Sequence, residues 1–174
     1  MKKFSSTLDG LSILISGFMG VAILSVFVTA YISYKKTGGQ PAVFIFTIAA
    51  GILLAVLVAA LYVLRTKEIA VDDTGITIER GTNPVFVSFN DIKEIKIISR
   101  PERGIVFRTF GNGGIFGYTG RYYSKKLGNM TWYCTNRKKY VLIAKKDGRN
   151  LVISPDDANG FLQATYLAMP GLRA

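Results

Sequence analysis

The sequence predicts two membrane-spanning helices followed by a small, mainly β domain that a C-terminal helix closes. Two long apolar runs without a charged residue lie in the first third of the chain, and apolar and polar residues alternate from about Lys67 onward. Continuous apolar runs are typical of membrane helices, whereas alternation is typical of half-buried strands. We therefore expect an α-helical transmembrane hairpin over residues 1–66 and a β domain over residues 67–174.

The apolar runs are Leu11–Tyr34 and Ala42–Leu64. A hydrocarbon core of about 30 Å needs about 20 helical residues, so both runs are long enough to cross it. Their backbone groups have no water to bond in the bilayer, which favours helices over any open structure. The alternatives are a cleaved signal peptide for the first run, whose apolar stretch exceeds the usual ~7–15 residues, and a buried core helix for the second.

The linker Lys35–Pro41 is short and rich in turn residues, so the two helices should be antiparallel neighbours. Small residues allow close helix approach in membranes, and the candidates are Gly17, Gly20, Ala49, Ala50 and Gly51. The two tails hold more Lys and Arg than the linker does, which favours both termini on the cytoplasmic side of the cell membrane.

Charge and composition exclude several kinds of site. The chain has 22 Lys and Arg against 11 Asp and Glu, no histidine and the single cysteine Cys134. An intramolecular disulfide, a Cys/His zinc site and a triad with a histidine base are therefore excluded. We expect no metal and no cofactor. The basic excess instead favours anionic lipid headgroups as partners, because a tethered domain meets them first.

Seven antiparallel strands are predicted in the β domain. The first two flank the turn sequence Asp72–Gly75, and the last two flank Asp147–Gly148. In chain order the predicted strands are 68–71, 76–79, 84–89, 95–99, 130–135, 140–144 and 150–153.

A C-terminal helix is predicted at about residues 155–169. Ser154 is the expected cap and Pro155 suits the first helical position. Apolar residues then recur at helical spacing, and Pro170-Gly171 should stop the helix.

Several motifs in this order resemble the bacterial pleckstrin-homology-like (PH-like) domain of small membrane proteins. They are the segments 84–97, 110–118, 120–123, 127–128, 133–137, 141–143 and 153–157. The similarity covers about residues 67–165, and a transmembrane hairpin before the domain is a common arrangement in such proteins. The resemblance implies a fold and a location rather than an activity.

The segment Arg100–Gly128 combines seven glycines with aromatic and basic residues. We read it as a long loop that either binds a lipid or partner or is a structural insertion, because loops of this length are uncommon without a function. Its glycines match neither a Walker loop nor a dinucleotide fingerprint. The candidate binding residues in it are Arg103, Arg108, Phe116, Tyr118, Arg121, Lys125 and Lys126.

A second basic cluster is Arg137, Lys138 and Lys139, together with Lys145 and Lys146. It is either a surface that attracts anionic lipid or a solvated turn.

The leading functional hypothesis is a non-catalytic, membrane-anchored binding or scaffold module, with a protein partner or a second copy as further candidate partners. Nucleic acid is disfavoured by the membrane tether. The alternatives are an accessory subunit of a membrane transporter or membrane-stress complex and, least favoured, a membrane-bound hydrolase that uses carboxylates such as Asp72, Asp73, Asp156 and Asp157.

Overall fold

The computed structural model describes residues 1–36, 38 and 40–169, with only the backbone for Arg100 and Pro101. Thr37 and Gly39 of the linker and the predicted helix stop at Pro170-Gly171 lie outside the described residues. The strands are β1 Lys2–Ser5, β2 Thr66–Val71, β3 Gly75–Arg80, β4 Val85–Ser88, β5 Ile92–Ile98, β6 Val106–Gly114, β7 Gly117–Ser124, β8 Gly128–Cys134, β9 Tyr140–Lys145 and β10 Asn150–Ile153. The helices are α1 Gly10–Lys36, α2 Pro41–Val63, the short α3 Arg100–Arg103 and α4 Ala158–Ala168.

Helices α1 and α2 are long and apolar enough to cross a membrane. Most of their apolar side chains are not buried in the protein, as Phe18 (73% exposed) and Phe46 (79% exposed) show. This exposure argues against buried core helices and suits contact with lipid. Tyr34 packs on Phe44 near the linker, and a Cβ on Gly51 would lie 2.9 Å from the Phe27 ring, so the helices run antiparallel.

Of the three glycines among the predicted small residues, one contacts the other helix. Gly51 faces Phe27, whereas Gly17 and Gly20 face open space.

Two sheets build the β domain. One has the strand order β1-β2-β3-β4 and the other β5-β9-β10-β8-β7-β6. Neighbouring strands are antiparallel except β8 and β10, which are parallel. The main core includes Ile69, Ile78, Ile143 and Phe161, which are fully buried, so both sheets and α4 share it. The predicted combination of a helical hairpin and a PH-like β domain with a C-terminal helix is confirmed.

Strand β1 lies before the first membrane helix and still belongs to the domain's sheet. Lys2 pairs with Val71 and Ser5 with Glu68. Phe4 is buried, and its ring meets Phe161 edge-on at 5.5 Å. Because β1 precedes the helices and β2 follows them in one sheet, both strands lie on the same side of any membrane that the two helices cross. Cleavage of α1 as a signal peptide would remove β1. The division of the chain after residue 66 stays a prediction.

The glycine-rich segment is a hairpin rather than the expected loop. Strands β6 and β7 pair from Val106 with Ser124 to Gly114 with Gly117. Sequence patterns miss these strands because glycine has low β propensity and interrupts the alternation.

Helix α4 begins at Ala158, three residues after the expected position. Asp157 caps it by accepting a 2.9 Å hydrogen bond from the Gly160 amide. The expected cap, Ser154, instead accepts hydrogen bonds from the backbone amides of Thr135 and Asn136. These two hydrogen bonds keep Ser154 in the loop that precedes α4.

Candidate functional site: a basic groove beside the membrane helices

Asp9 joins the start of α1 to the β domain. Its carboxylate accepts a 2.8 Å hydrogen bond from the Ser12 amide, which caps the helix. The same carboxylate accepts hydrogen bonds from the Arg137 amide and side chain and from the Tyr118 hydroxyl. Its own amide donates to the Thr135 carbonyl. One nearly buried side chain therefore fixes the helix relative to two strands.

The residues between β1 and α1 also form hydrogen bonds with the β domain. Ser6 forms a buried hydroxyl contact with Thr135 at 2.7 Å and donates to the Ser154 carbonyl. Asp156 accepts from the amide and hydroxyl of Thr7. The N-terminal segment is thus part of the folded domain and not a loose tail.

The turn of the β6–β7 hairpin, residues 114–117, contacts both membrane helices. We call this turn the hairpin tip. The Phe116 amide donates a 2.9 Å hydrogen bond to the Ser16 hydroxyl of α1. The Phe116 ring packs edge-on against Tyr62 of α2, with 5.1 Å between the ring centroids. Phe116 has a φ of 54°, and the Asn112 side chain bonds the Ile115 amide and carbonyl, so the tip has a defined shape.

A groove of about 750 Å³ lies between the last turn of α2 and the overhanging strands β6, β7 and β8. We call it the basic groove. Its lining residues are Leu61, Leu64, Arg80, Arg108, Phe110, Gly111, Asn112, Ile115, Thr119, Gly120, Arg121, Thr131 and Tyr133. Three of them are arginines, and none of these described residues is acidic. The groove therefore joins an apolar end, formed by α2, to a positively charged wall.

Contacts within the domain orient two of the groove arginines. The Arg80 Nε donates a 3.1 Å hydrogen bond to the Leu64 carbonyl at the end of α2, and its guanidinium lies 5.3 Å from the centroid of the Tyr133 ring. Arg108 extends over Gly113, where any Cβ would displace its guanidinium. Gly113 lines a second cavity and not the groove, so this contact directs the guanidinium away from the groove. Arg121 is exposed on β7. Within the described part of the chain, none of the three forms an ion pair with a carboxylate.

Two facing glycines form the floor of the groove. Gly111 and Gly120 pair across β6 and β7. Their φ values are 110° and 138°, and a Cβ on either one would overlap the backbone of the opposite strand. The two strands therefore approach each other with bare backbone at the base of the groove.

A second, more open cavity of about 470 Å³ lies on the other face of the hairpin. It is lined by Arg103, Arg108, Arg137, Tyr118, Tyr122 and Trp132, among others. Arg103 covers the aromatic cluster there: its guanidinium lies 4.8 Å from the Tyr140 ring centroid and donates to the Tyr140 hydroxyl. Arg103 and Arg137 therefore have packing roles in addition to their charge.

The structure distributes the predicted site residues over several places. Arg121 lines the basic groove, and Arg108 lines both the groove and the second cavity, with its guanidinium over Gly113 on the side of that cavity. Phe116 forms the hairpin tip, whereas Tyr118 and Arg137 bind Asp9. Lys138 and Lys139 are exposed in the turn after β8, close to this junction, and the Lys139 ammonium donates to the Asp156 carbonyl. Lys125 and Lys126 lie in the turn between β7 and β8, at the opposite end of the hairpin from its tip.

The second basic cluster is divided by strand β9. Lys139 precedes this strand, and Lys145 ends it. At about 3.3 Å per strand residue the two positions are roughly 20 Å apart, so they do not act as one patch.

Two residues of this region, Asp9 and Arg80, were not predicted from the sequence. Asp9 had a usable signal, since an aspartate directly before an apolar run is a typical N-cap. Arg80 had none, because its partner carbonyl belongs to a helix end sixteen residues earlier in the chain.

Burial and hydrogen bonding shift several pKa values in this region. Burial alone would raise the pKa of Asp9, but the hydrogen bonds from Ser12 and Arg137 and the positive charge of Arg137 together hold it below its usual range. Burial raises the pKa of Tyr118 and that of Tyr122 to about 12. Burial also raises the pKa of the Cys134 thiol well above its usual range, which makes this thiol unreactive.

The acidic residues considered for hydrolysis have structural contacts. Asp72 accepts hydrogen bonds from Thr74 and Gly75 in the turn between β2 and β3. Asp156 binds Thr7, and Asp157 caps α4. Among the described residues no group of three His, Cys, Asp or Glu side chains is placed to hold a metal ion.

Comparison with known proteins identifies the β domain. The model of the bacterial PH domain family matches residues 67–166, which is more than half of the chain. The chain belongs to the bacterial PH domain family. No curated protein and no solved structure gives a match. In this bacterial PH domain protein, the matched region contains β3 to β10, all of β2 except Thr66 and most of α4, whereas β1 and both apolar helices precede it.

Proposed function

We propose that the protein is a non-catalytic, membrane-anchored binding module whose PH domain presents the basic groove to anionic headgroups. The observation that carries this proposal is the attachment of the hairpin tip to both membrane helices. Phe116 bonds Ser16 and packs on Tyr62, so the groove beside it is held in one position relative to the bilayer.

The depth of the tip supports this assignment. Helix α1 has 27 residues, or about 40 Å, which exceeds a hydrocarbon core of about 30 Å. Ser16 lies six residues, or roughly 9 Å, along α1 from Gly10. Tyr62 lies at the end of α2, where aromatic residues mark the interface. We therefore propose that the tip and the groove lie near the boundary between the hydrocarbon core and the headgroups.

Both termini are proposed to lie on the cytoplasmic side, where the inner leaflet supplies anionic lipid. The electrostatic attraction of such a surface is worth about 1 kcal/mol for each nearby Lys or Arg. The excess of basic residues in the tails supports this orientation.

Hydrogen–deuterium exchange of the full chain in lipid nanodiscs tests the proposal. In nanodiscs that contain phosphatidylglycerol we expect slower exchange in β6 and β7 than in nanodiscs of phosphatidylcholine alone. High salt should remove part of the difference, because ions screen exposed charges. Identical exchange in both lipids would refute headgroup binding.

A second candidate function is that of a subunit in a larger membrane complex. Strand β6 is at the edge of its sheet, and Ile105 and Phe107 beside this edge are 77% and 57% exposed. Exposed apolar side chains at a sheet edge favour a protein partner. A photo-reactive residue at position 107 should then form one defined protein crosslink in intact cells, and crosslinks to lipid alone would count against this candidate.

A further inference from the structure

The outer edge of strand β6 has no neighbour among the described strands. This strand ends the six-stranded sheet, and Ile105, Phe107 and Phe110 along it are each more than half exposed. An open edge offers backbone amides and carbonyls to another extended chain, and natural proteins usually shield such edges. Three exposed apolar side chains on this edge therefore favour a binding surface.

The two faces of β6 differ in chemistry. The pairing register with β7 places Phe107 opposite residue 123 and Phe110 opposite residue 121. Side chains two positions apart on a strand share a face, so both phenylalanines lie on the same face of the sheet. The register shift between residues 108 and 110 produces this arrangement. Arg108 lies on the opposite face, so one face of the edge is apolar and the other is basic.

The basic face of β6 borders the second cavity. Arg103, Arg108 and Arg137 line this cavity, and none of its described lining residues is acidic. Arg137 already pairs with Asp9, whereas Arg103 and Arg108 form no ion pair with a carboxylate in the described part of the chain. A guanidinium binds a carboxylate through paired hydrogen bonds. A side chain that enters the cavity from the edge of β6 should therefore be acidic.

The charge around this edge decides between a second copy and a different protein. Residues 103–146, which include β6 to β9, have ten Lys and Arg and no Asp or Glu. Two such edges would repel each other, because like charges opposite each other on paired strands are destabilising. An acidic segment would be attracted by the same charges. The edge therefore suits an acidic partner and not a second copy.

Resting on the second candidate function, we propose that β6 binds an extended acidic segment of another protein as an added strand along residues 105–110. Acidic side chains of this segment point towards Arg103 and Arg108 in the second cavity. Apolar side chains alternate with them and pack on Phe107 and Phe110. Main-chain hydrogen bonds give the affinity in this mode of recognition, and the alternating side chains give the specificity.

A synthetic peptide of about eight residues, in which glutamate and valine alternate, is long enough to cover this edge and tests the proposal. It carries fluorescein and is titrated with the full chain in a neutral detergent, so that no anionic lipid contributes. A peptide of the same composition with its glutamates and valines in two blocks cannot place all its carboxylates on one face. The block peptide should bind about tenfold more weakly, the effect of losing one hydrogen bond to a charged group.

The role of the Arg108 guanidinium is tested with a pair of matched variants. Arg108→Gln should weaken binding of the alternating peptide about tenfold, for the same reason. The control Lys146→Gln removes one charge from an exposed turn after β9, a strand that β10, β8 and β7 separate from β6. Its affinity should stay within about twofold of wild type, as for surface changes away from a site. Unchanged fluorescence of the buried Trp132 verifies that each free variant is folded.

Hydrogen–deuterium exchange distinguishes strand addition from attraction by charge alone. Bound peptide should slow exchange at residues 106–110, because backbone amides at the edge become hydrogen-bonded. Peptide binding without slower exchange there would overturn strand addition, and so would equal affinities for the alternating and block peptides. Equal loss of affinity in Arg108→Gln and Lys146→Gln would overturn the role of the cavity.

The same measurements separate this proposal from headgroup binding. Absence of peptide binding, together with slower exchange in nanodiscs that contain phosphatidylglycerol, would overturn the added strand and leave the headgroup proposal standing. Peptide binding together with identical exchange in both kinds of nanodisc would support the added strand and refute headgroup binding.

Discussion

Replacement of Asp9 by alanine should loosen the domain from α1 and destabilise it. The change removes a helix cap, which costs about 1 kcal/mol. It also leaves the Tyr118 hydroxyl, in a side chain that is 5% exposed, without its carboxylate partner, at about 1–3 kcal/mol. Breaking a buried ion pair by removing one partner costs about 3–5 kcal/mol in total. Arg137 is 39% exposed in this pair, so we expect the low end, about 3 kcal/mol.

Urea unfolding in mild detergent, followed by Trp132 fluorescence, measures this loss. Trp132 is the only tryptophan and is 2% exposed, so its emission reports on the β domain and not on the helices. Asp9→Asn keeps an oxygen that can cap the helix and should lose only about 1 kcal/mol. Asp73→Ala, in an exposed turn, serves as the control within about 0.5 kcal/mol of wild type. Equal unfolding midpoints for Asp9→Ala and Asp73→Ala would refute the role of Asp9.

The same carboxylate gives a pH dependence with a defined sign. Its pKa is lowered in the folded protein, so its contribution is fully present above the unfolded value of about 3.9. The contribution is lost as the pH falls through the lower folded pKa. Wild type should therefore lose its advantage over Asp9→Asn in unfolding free energy below about pH 4. An unchanged advantage at lower pH would show that ionisation of Asp9 does not matter.

Three further predictions concern the hairpin and the core. Gly111→Ala should lower the free energy of unfolding by about 3 kcal/mol because of strain at positive φ and overlap with the opposite strand. The control Gly148→Ala, whose Cβ meets open space at a φ of 78°, should lower it by about 1 kcal/mol. Equal urea midpoints for the two variants would contradict the close approach of the strands. A double-mutant cycle of Phe116→Ala and Tyr62→Leu should give a coupling of about 1 kcal/mol in unfolding free energy, and additivity would mean that the ring contact contributes nothing. Cys134, 1% exposed and with a raised pKa, should resist maleimide until the domain unfolds, and labelling of the native protein at the rate of a free thiol would contradict its burial.

The sequence predicts well those elements that form from one uninterrupted stretch of apolar or β-branched residues. Leu11–Tyr34 and Ala42–Leu64 become the two helices with ends shifted by one or two residues, because an uninterrupted apolar run has one stable form in a membrane. The strand Asn150–Ile153 was predicted with its observed bounds, because turn residues and β-branched side chains agree there.

The missed elements depend on contacts between distant residues. Strand β1 has four residues and no alternation strong enough to identify it, and it forms because β2 offers a free edge. The basic groove unites arginines from β3, β6 and β7. Their meeting depends on how the β6–β7 hairpin of the second sheet lies beside β3 of the first sheet, and local patterns contain no information on such a contact between distant residues.

The pairing of β1 with β2 closes the chain into a loop that contains both apolar helices. During synthesis β1 leaves the ribosome before the two helices, whereas its neighbour β2 follows after them, and Ser154 and Asp156, which bind the residues after β1, follow later still. Closing a loop of this length from a flexible chain costs conformational entropy. Prior assembly of the helical hairpin brings the loop ends together and reduces that cost. Packing of the two helices against each other thus favours the folding of the domain.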